Sequence, residues 1–199
     1  IWIVARRAGP ITTSSGVQLI ASHALARAPR TIDTLLVAGG EGTRAACADR
    51  AFIAGVQRLA ARATRVASVC SGAFVLAQAG LLDARRATTH WRFAEQLRRM
   101  FPRVQVDADA IFVRDGNCWT SAGVTAGMDL ALALVEADLG RASALAVARE
   151  LVVFLKRPGG QSQFSVPLAA QLSELPLLAR IREQVLARPQ APWPVHALA

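Results

Sequence analysis

At 199 residues the chain can bury one good-sized core and carry a small appendage besides. Hydrophobic residues make up 53% of it, yet no apolar run approaches the roughly 20 residues that a membrane-spanning helix needs, and no membrane partner is expected. The formal charge of +9 raises nucleic acid as a partner, but its distribution argues against a binding footprint in these residues. Residues 1–104 carry 15 basic and 5 acidic side chains, residues 105–140 carry 1 and 6, and residues 141–199 carry 7 and 3. No dense basic stripe with interleaved aromatics is present.

Cys47, Cys70 and Cys118 are odd in number and unevenly spaced, and His23, His90 and His196 are scattered. Neither set forms a metal pattern or a disulfide framework, so no metal and no cofactor is expected, and a reducing cytoplasm is the expected compartment.

The opening Ile1-Trp2-Ile3-Val4-Ala5-Arg6-Arg7 reads as a strand ending in charge, and residues are expected to precede it. Ile32 to Val37, followed by Ala38-Gly39-Gly40, is a buried strand closed by a glycine pair, the pattern of a parallel sheet. A helix is predicted from about Asp49, with Phe52, Ile53, Val56, Leu59 and Ala60 on its inner face and Arg58 and Arg62 outside. A strand then runs into Cys70, and a helix over Ala73–Ala79 is closed by Gly80. This βαβ rhythm predicts an open, mostly parallel α/β sheet with helices on both faces.

Ala87-Thr88-Thr89-His90-Trp91 leads into a helix from Phe93 to about Met100. Val104–Val106 and Ala110–Val113 read as strands, and Asp115-Gly116-Asn117 turns the chain into Cys118-Trp119-Thr120-Ser121 as a hairpin. Helices are predicted for Thr125–Leu139 and Ala142–Phe154, separated by Gly140. The stretch from Arg157 to Ser165, rich in glycine and short polar residues, reads as a linker. Leu175–Leu186 beyond it reads as an amphipathic helix, and Pro189, Pro192 and Pro194 interrupt regular structure in the last residues of the chain.

Cys70 is the residue with the clearest chemistry. A short apolar strand delivers it into the small-residue turn Cys70-Ser71-Gly72, and a helix leaves at once, so free backbone N–H groups and a partial positive charge face the thiol. That is the setting of a nucleophile elbow. A cysteine nucleophile also needs a base and an oxyanion site. His90 is the candidate base, and the backbone N–H groups of Ser71 and Gly40 are candidate oxyanion donors. Gly39, Gly40, Cys70, Ser71, Gly72 and His90 are the expected ligand-binding residues, outside the carboxyl ends of the strands. No acidic third member is identifiable.

Gly39-Gly40, Val69 to Phe74, Ala79 to Asp83, Arg86 to Trp91 and Thr120 to Asp129 fall in one order that resembles the class I glutamine amidotransferase-like (PfpI-type, flavodoxin-like) domain at the front of GlxA-type regulators of the AraC group. Arg157 to Phe164 resembles the segment that closes this domain. The resemblance implies an effector domain over residues 1–166 that lacks the family's first strand and helix, with the acidic residue found there in enzymatic relatives. Residues 167–199 would then be a linker and the start of a truncated AraC-type helix-turn-helix domain, His196 to Ala199 ending inside its opening helices.

On that resemblance the chain is a sensor: a small metabolite bound near Cys70 changes the geometry of a homodimer, and DNA is contacted by the helix-turn-helix domain. The same Cys-Ser-Gly turn and Thr-His-Trp segment resemble those of isonitrile hydratases, which implies the alternative of a cysteine-dependent hydrolase or hydratase acting on a C–N bond. In it, Cys70 is the nucleophile and His90 the base. The resemblance favours sensing over catalysis.

Overall fold

Neighbouring residues on a strand face opposite sides of their sheet, and this period of two builds the centre of the molecule. In the computed structural model, which describes residues 1–157, 159–161 and 176–191, Val66 joins a core with Ile53, Val56, Phe74, Leu76 and Leu97, while Ala67 joins a second core with Trp119 and Leu130. Both residues lie on one strand between two layers of helix.

Chain contacts divide the protein into Ile1–Gln161 and Ser162–Ala199. In the first unit, β1 (Val4–Ala5) pairs in parallel with β4 (His23–Ala24), and β2 (Gly9–Thr12) forms a hairpin with β3 (Gln18–Ala21). The main sheet has the order β5 (Ile32–Val37), β6 (Ala63–Val69), β10 (Cys118–Ser121), β9 (Phe112–Asp115). β5, β6 and β10 are parallel, and β9 returns antiparallel to β10. A further parallel pair joins β7 (Arg86–Ala87) to β8 (Gln105–Val106).

The helices α1 (Thr43–Ala48), α2 (Arg50–Ala60), α3 (Gly72–Gln78) and α4 (Trp91–Met100) contribute to the side of the sheet that Val66 faces. The long α5 (Thr125–Glu150) packs through Leu130 on the side that Ala67 faces. The predicted architecture, an open and mostly parallel sheet with helices on both faces, is the one found. Leu76, Leu82 and Leu97 are fully buried, and each such side chain contributes about 1.5–3 kcal/mol of transfer free energy.

Local chemistry sets the element ends. The Asp49 carboxylate accepts the N–H groups of Ala51 and Phe52 and so starts α2 at the position expected from the sequence. Gly80, at φ +74°, ends α3 with two reversed bonds, Gly80 N–H to Ala77 O and Leu81 N–H to Leu76 O. Gly140, at φ +81° and ψ 167°, breaks α5 into the two expected pieces.

Four local expectations are corrected. The opening strand is only the two residues of β1. The short alanine-rich α1 is not among the predicted elements. The strand expected at Ala110–Val113 begins at Phe112 and runs to Asp115. The second piece of α5 ends at Glu150, not Phe154, because Val152 adopts φ +55° and closes the helix through Val152 N–H to Arg149 O and Val153 N–H to Ala148 O. The apolar run Leu151-Val152-Val153-Phe154 continues the helical pattern in sequence but not in backbone.

In the second unit α6 (Pro176–Ala187) corresponds to the helix expected at Leu175–Leu186. Pro158, the linker residues 162–165, the expected boundary at residue 166 and the helix-turn-helix start at His196 to Ala199 lie outside the described residues. Among the described residues no helix is long and apolar enough to cross a membrane.

Candidate functional site

β6 ends at Val69 and α3 begins at Gly72, so only Cys70 and Ser71 turn the chain. So tight a turn puts Cys70 at φ +55°, a left-handed conformation that residues with a side chain rarely adopt and that costs about 1–3 kcal/mol to hold. Four hydrogen bonds hold it. The Cys70 N–H donates to Ser121 O at 3.0 Å and Ala122 O at 3.1 Å. Its carbonyl accepts Thr89 Oγ1–H at 2.8 Å and Ala73 N–H at 3.4 Å. The thiol is half-buried.

Two glycines let the end of β5 approach the elbow. A Cβ on Gly39 would lie 2.8 Å from Ser71 N and from Val69 O, and one on Gly72 would lie 2.3 Å from Val37 O. Close backbone approach therefore accounts for Gly39 and Gly72. Gly40 N–H donates to Ser71 Oγ at 2.9 Å, Ser71 Oγ donates to Gly40 O at 3.3 Å, and Thr43 Oγ1 lies 3.0 Å from the same hydroxyl. Of the two expected oxyanion donors, Gly40 N–H is thus already bonded. Ser71 N–H has no partner among the described residues.

His90 begins α4 as its N-cap, its Nδ1 accepting Arg92 N–H at 3.2 Å. The ring packs on Trp91 and Phe93 and against Gly123, where a Cβ would lie 2.3 Å from His90 Cδ2. Among the described residues no hydrogen bond joins His90 to the Cys70 sulfur. The two segments are joined instead through Thr89, which lies between them in the fold.

Burial, and secondarily the Arg92 charge, hold the His90 imidazole below its ordinary value. The neutral ring therefore carries its proton on Nε2 and caps α4 through Nδ1. Because the unfolded chain, with an ordinary value of about 6.5, binds the proton more readily, this contribution to stability is complete above that pH and is lost as the pH falls through it. Thermal melts from pH 7.5 to 5.5 will show a falling Tm. The fall will be smaller in His90→Asn, whose Oδ1 keeps the cap without titrating. Equal pH dependence in the two proteins would rule this out.

The sequence reading does not single out Thr43, Thr89, Gly123 or Gln161 as site residues. Thr88 and Thr89 are fully buried, and the Thr-Thr pair ending a short strand is the available signal. Gln161 is also buried, with its side-chain amide inserted into residues 88–91. A cleft of about 680 Å³ lined by Arg86, Arg98, Gln105 and Asp107 includes neither Cys70 nor His90. Its arginines are engaged, Arg86 with Asp107 and Arg98 with Glu95.

The chain is similar to several known proteins. The isonitrile hydratase of Pseudomonas putida is 38% identical over 131 residues, which is 66% of this chain and 56% of that protein. The HTH-type transcriptional regulator GbdR of Pseudomonas aeruginosa is 30% identical over 190 residues, 95% of this chain and 51% of that protein. The crystal structure of a ThiJ/PfpI family protein from Pseudomonas syringae superposes with a TM-score of 0.71 at 34% identity, covering 79% of this chain and 64% of that one. The chain spans about half the length of the curated relatives just named. Residues 1–137 match the DJ-1/PfpI family as a whole, which takes in every strand of the sheet and the strained cysteine turn, and the chain belongs to that family.

Proposed function

We propose that this chain is the ligand-sensing part of a cytoplasmic, AraC-type transcriptional regulator, with a small nitrogen-containing or amide-like metabolite held at the Cys70 elbow. DNA is contacted by a helix-turn-helix domain, and the active species is a homodimer. The observation that carries this reading is the reach of the regulator match. At 190 residues it necessarily runs past Gln161 into the C-terminal unit, where the hydratase match, at 131 residues, need not go. A sensing domain needs that extension, and a free-standing enzyme does not. The elbow supports a binding role as well: Ser71 N–H has no partner among the described residues, and the Ser71, Gly40 and Thr43 network fixes the floor beside it.

The test is a thermal-shift screen of small amides, amines and related nitrogen compounds on the full chain. A ligand at a hundred times its Kd stabilises by about 2.7 kcal/mol, which raises Tm by several degrees, and Cys70→Leu, which fills the elbow, removes the shift. A panel without a single shift counts against the reading.

A second reading, cysteine-dependent hydration or hydrolysis at a C–N bond, is favoured by the strained Cys70 together with the 38% identity to an isonitrile hydratase. It requires Cys70 to react ahead of Cys47 and Cys118, whose thiols burial pushes up. Each unit of such a rise lowers the thiolate fraction roughly tenfold at neutral pH. Iodoacetamide at pH 7 will therefore label Cys70 first, as mass spectrometry of the digested protein will record. If all three label alike, the nucleophile reading falls. If Cys70 labels first, hydration of an isonitrile by wild type but not by Cys70→Ala decides for catalysis.

A further inference from the structure

Gln161 is an unusual residue to find almost wholly buried. It is 6% exposed, and its amide is surrounded by backbone. Nε2 donates to Ala110 O at 2.9 Å, to Thr89 O and Ala108 O at 3.1 Å each, and to Thr88 Oγ1 at 3.3 Å. Oε1 accepts Trp91 N–H at 2.8 Å, and the Gln161 backbone N–H donates to Asp109 O at 2.6 Å. The seat is built for it, because a Cβ on Gly160 would lie 2.1 Å from the Asp109 carboxylate. Two hydrogens and one carbonyl oxygen thus tie together residues 88–91 and 108–110.

Two of these partners belong to the site. Thr89, whose carbonyl Gln161 holds, gives its hydroxyl to the Cys70 carbonyl, and Trp91 directly follows His90. On its other side Gln161 is bonded to Ser162, the first residue of the C-terminal unit. The segment is anchored a second time by Arg157, which clasps Asp129 of α5.

We propose that Gln161 is a positioning residue that seats the Thr89-His90-Trp91 segment and, through Thr89, couples the Cys70 elbow to the chain leaving the domain. The proposal rests on the reading of the elbow as the sensing site and names how that site is read out. A ligand or adduct that moves the Cys70 carbonyl pulls on Thr89, and Thr89 pulls on the amide. With the amide withdrawn, the Thr89, Ala108 and Ala110 carbonyls and the Trp91 N–H lose this partner together, so the seat is held or lost as a unit. An element that is held or lost as a unit, and that both ends can bias, is what coupling between sites requires.

Hydrogen exchange on the full chain tests this without any ligand. Thr89→Val removes the hydroxyl bond to Cys70 and keeps the side-chain shape. It will speed exchange in residues 157–161 by roughly fivefold to tenfold, about the effect of one lost hydrogen bond. Reciprocally, Gln161→Leu will speed exchange of the Trp91 amide and shift the His90 ring proton resonances, a signature that a simple packing role would not move. The proposal is overturned if Thr89→Val leaves residues 157–161 unchanged. It is equally overturned if a folded Gln161→Leu protein leaves Trp91 and His90 unchanged. Should Gln161→Leu fail to fold, the Thr89→Val arm still decides. A failed metabolite screen alongside a positive exchange result would reject the sensor reading and keep the coupling.

Discussion

Gly72→Ala will be among the most damaging single substitutions in this protein. The new Cβ would lie 2.3 Å from Val37 O and 3.1 Å from Ala38 C and O. All three atoms are backbone at the end of β5, where Val37 is in register with Ser68 of β6. A flexible side chain could swing aside, but this backbone moves only if the parallel pairing opens or the elbow shifts outward. Overpacking of a tight site costs about 1–3 kcal/mol, and the rigidity of these neighbours places Gly72→Ala at or beyond the upper end. For a domain of this size that is a Tm lowered by roughly 6–12 °C. Gly42→Ala is the control: no atom lies within 4 Å of its Cβ and its φ is −67°, so it will stay within about 1 kcal/mol of wild type. Differential scanning calorimetry of the two proteins decides. Similar transitions would mean that the elbow has slack that its contacts do not show.

The second large effect concerns the clasp before the domain exit. Asp129 is 7% exposed and meets Arg157 side-on, Nε lying 3.0 Å from both carboxylate oxygens. Arg157→Met keeps the apolar stem of the side chain but leaves a carboxylate buried without this cation. Breaking a buried pair from one side costs about 3–5 kcal/mol. Combining it with Asp129→Asn removes the stranded charge, so the double variant will be more stable than Arg157→Met alone. Urea denaturation of the four proteins closes the cycle. A double variant no better than the single one would place the value of Arg157 elsewhere than in this pair.

Much of the sheet was legible because its information is local. Alternation from Val66 to Ala67, the cap at Asp49 and the break at Gly140 each act within a few residues of themselves. The Cys-Ser-Gly turn was legible for the same reason. What escaped was carried by backbone atoms far along the chain. Gln161 bonds to carbonyls of residues 89, 108 and 110, and a carbonyl has no residue type to mark it. The Gly40 N–H was assigned to an oxyanion because its bond to Ser71 Oγ spans 31 positions and depends on the close approach of two strand ends. Thr43 met the same hydroxyl from a helix whose alanine-rich sequence gave no amphipathic signal. Val152 ended α5 against its own preference, which no propensity argument anticipates.

The placement of β10 between β6 and β9 has a consequence for the order in which the molecule assembles. The β9–β10 hairpin is a local structure that closes in microseconds, whereas β6, paired on one edge with the earlier β5, must wait about fifty residues along the chain for the partner of its other edge. The amide of Cys70 is held by the carbonyls of Ser121 and Ala122, so a nascent chain cannot complete the hydrogen bonds of its elbow before those residues have been synthesised. Parallel pairings over such separations are slow to form. During that interval two of the four hydrogen bonds that hold the strained Cys70 conformation lack their acceptors. The elbow therefore gains its full set of hydrogen bonds only once β10 has joined β6.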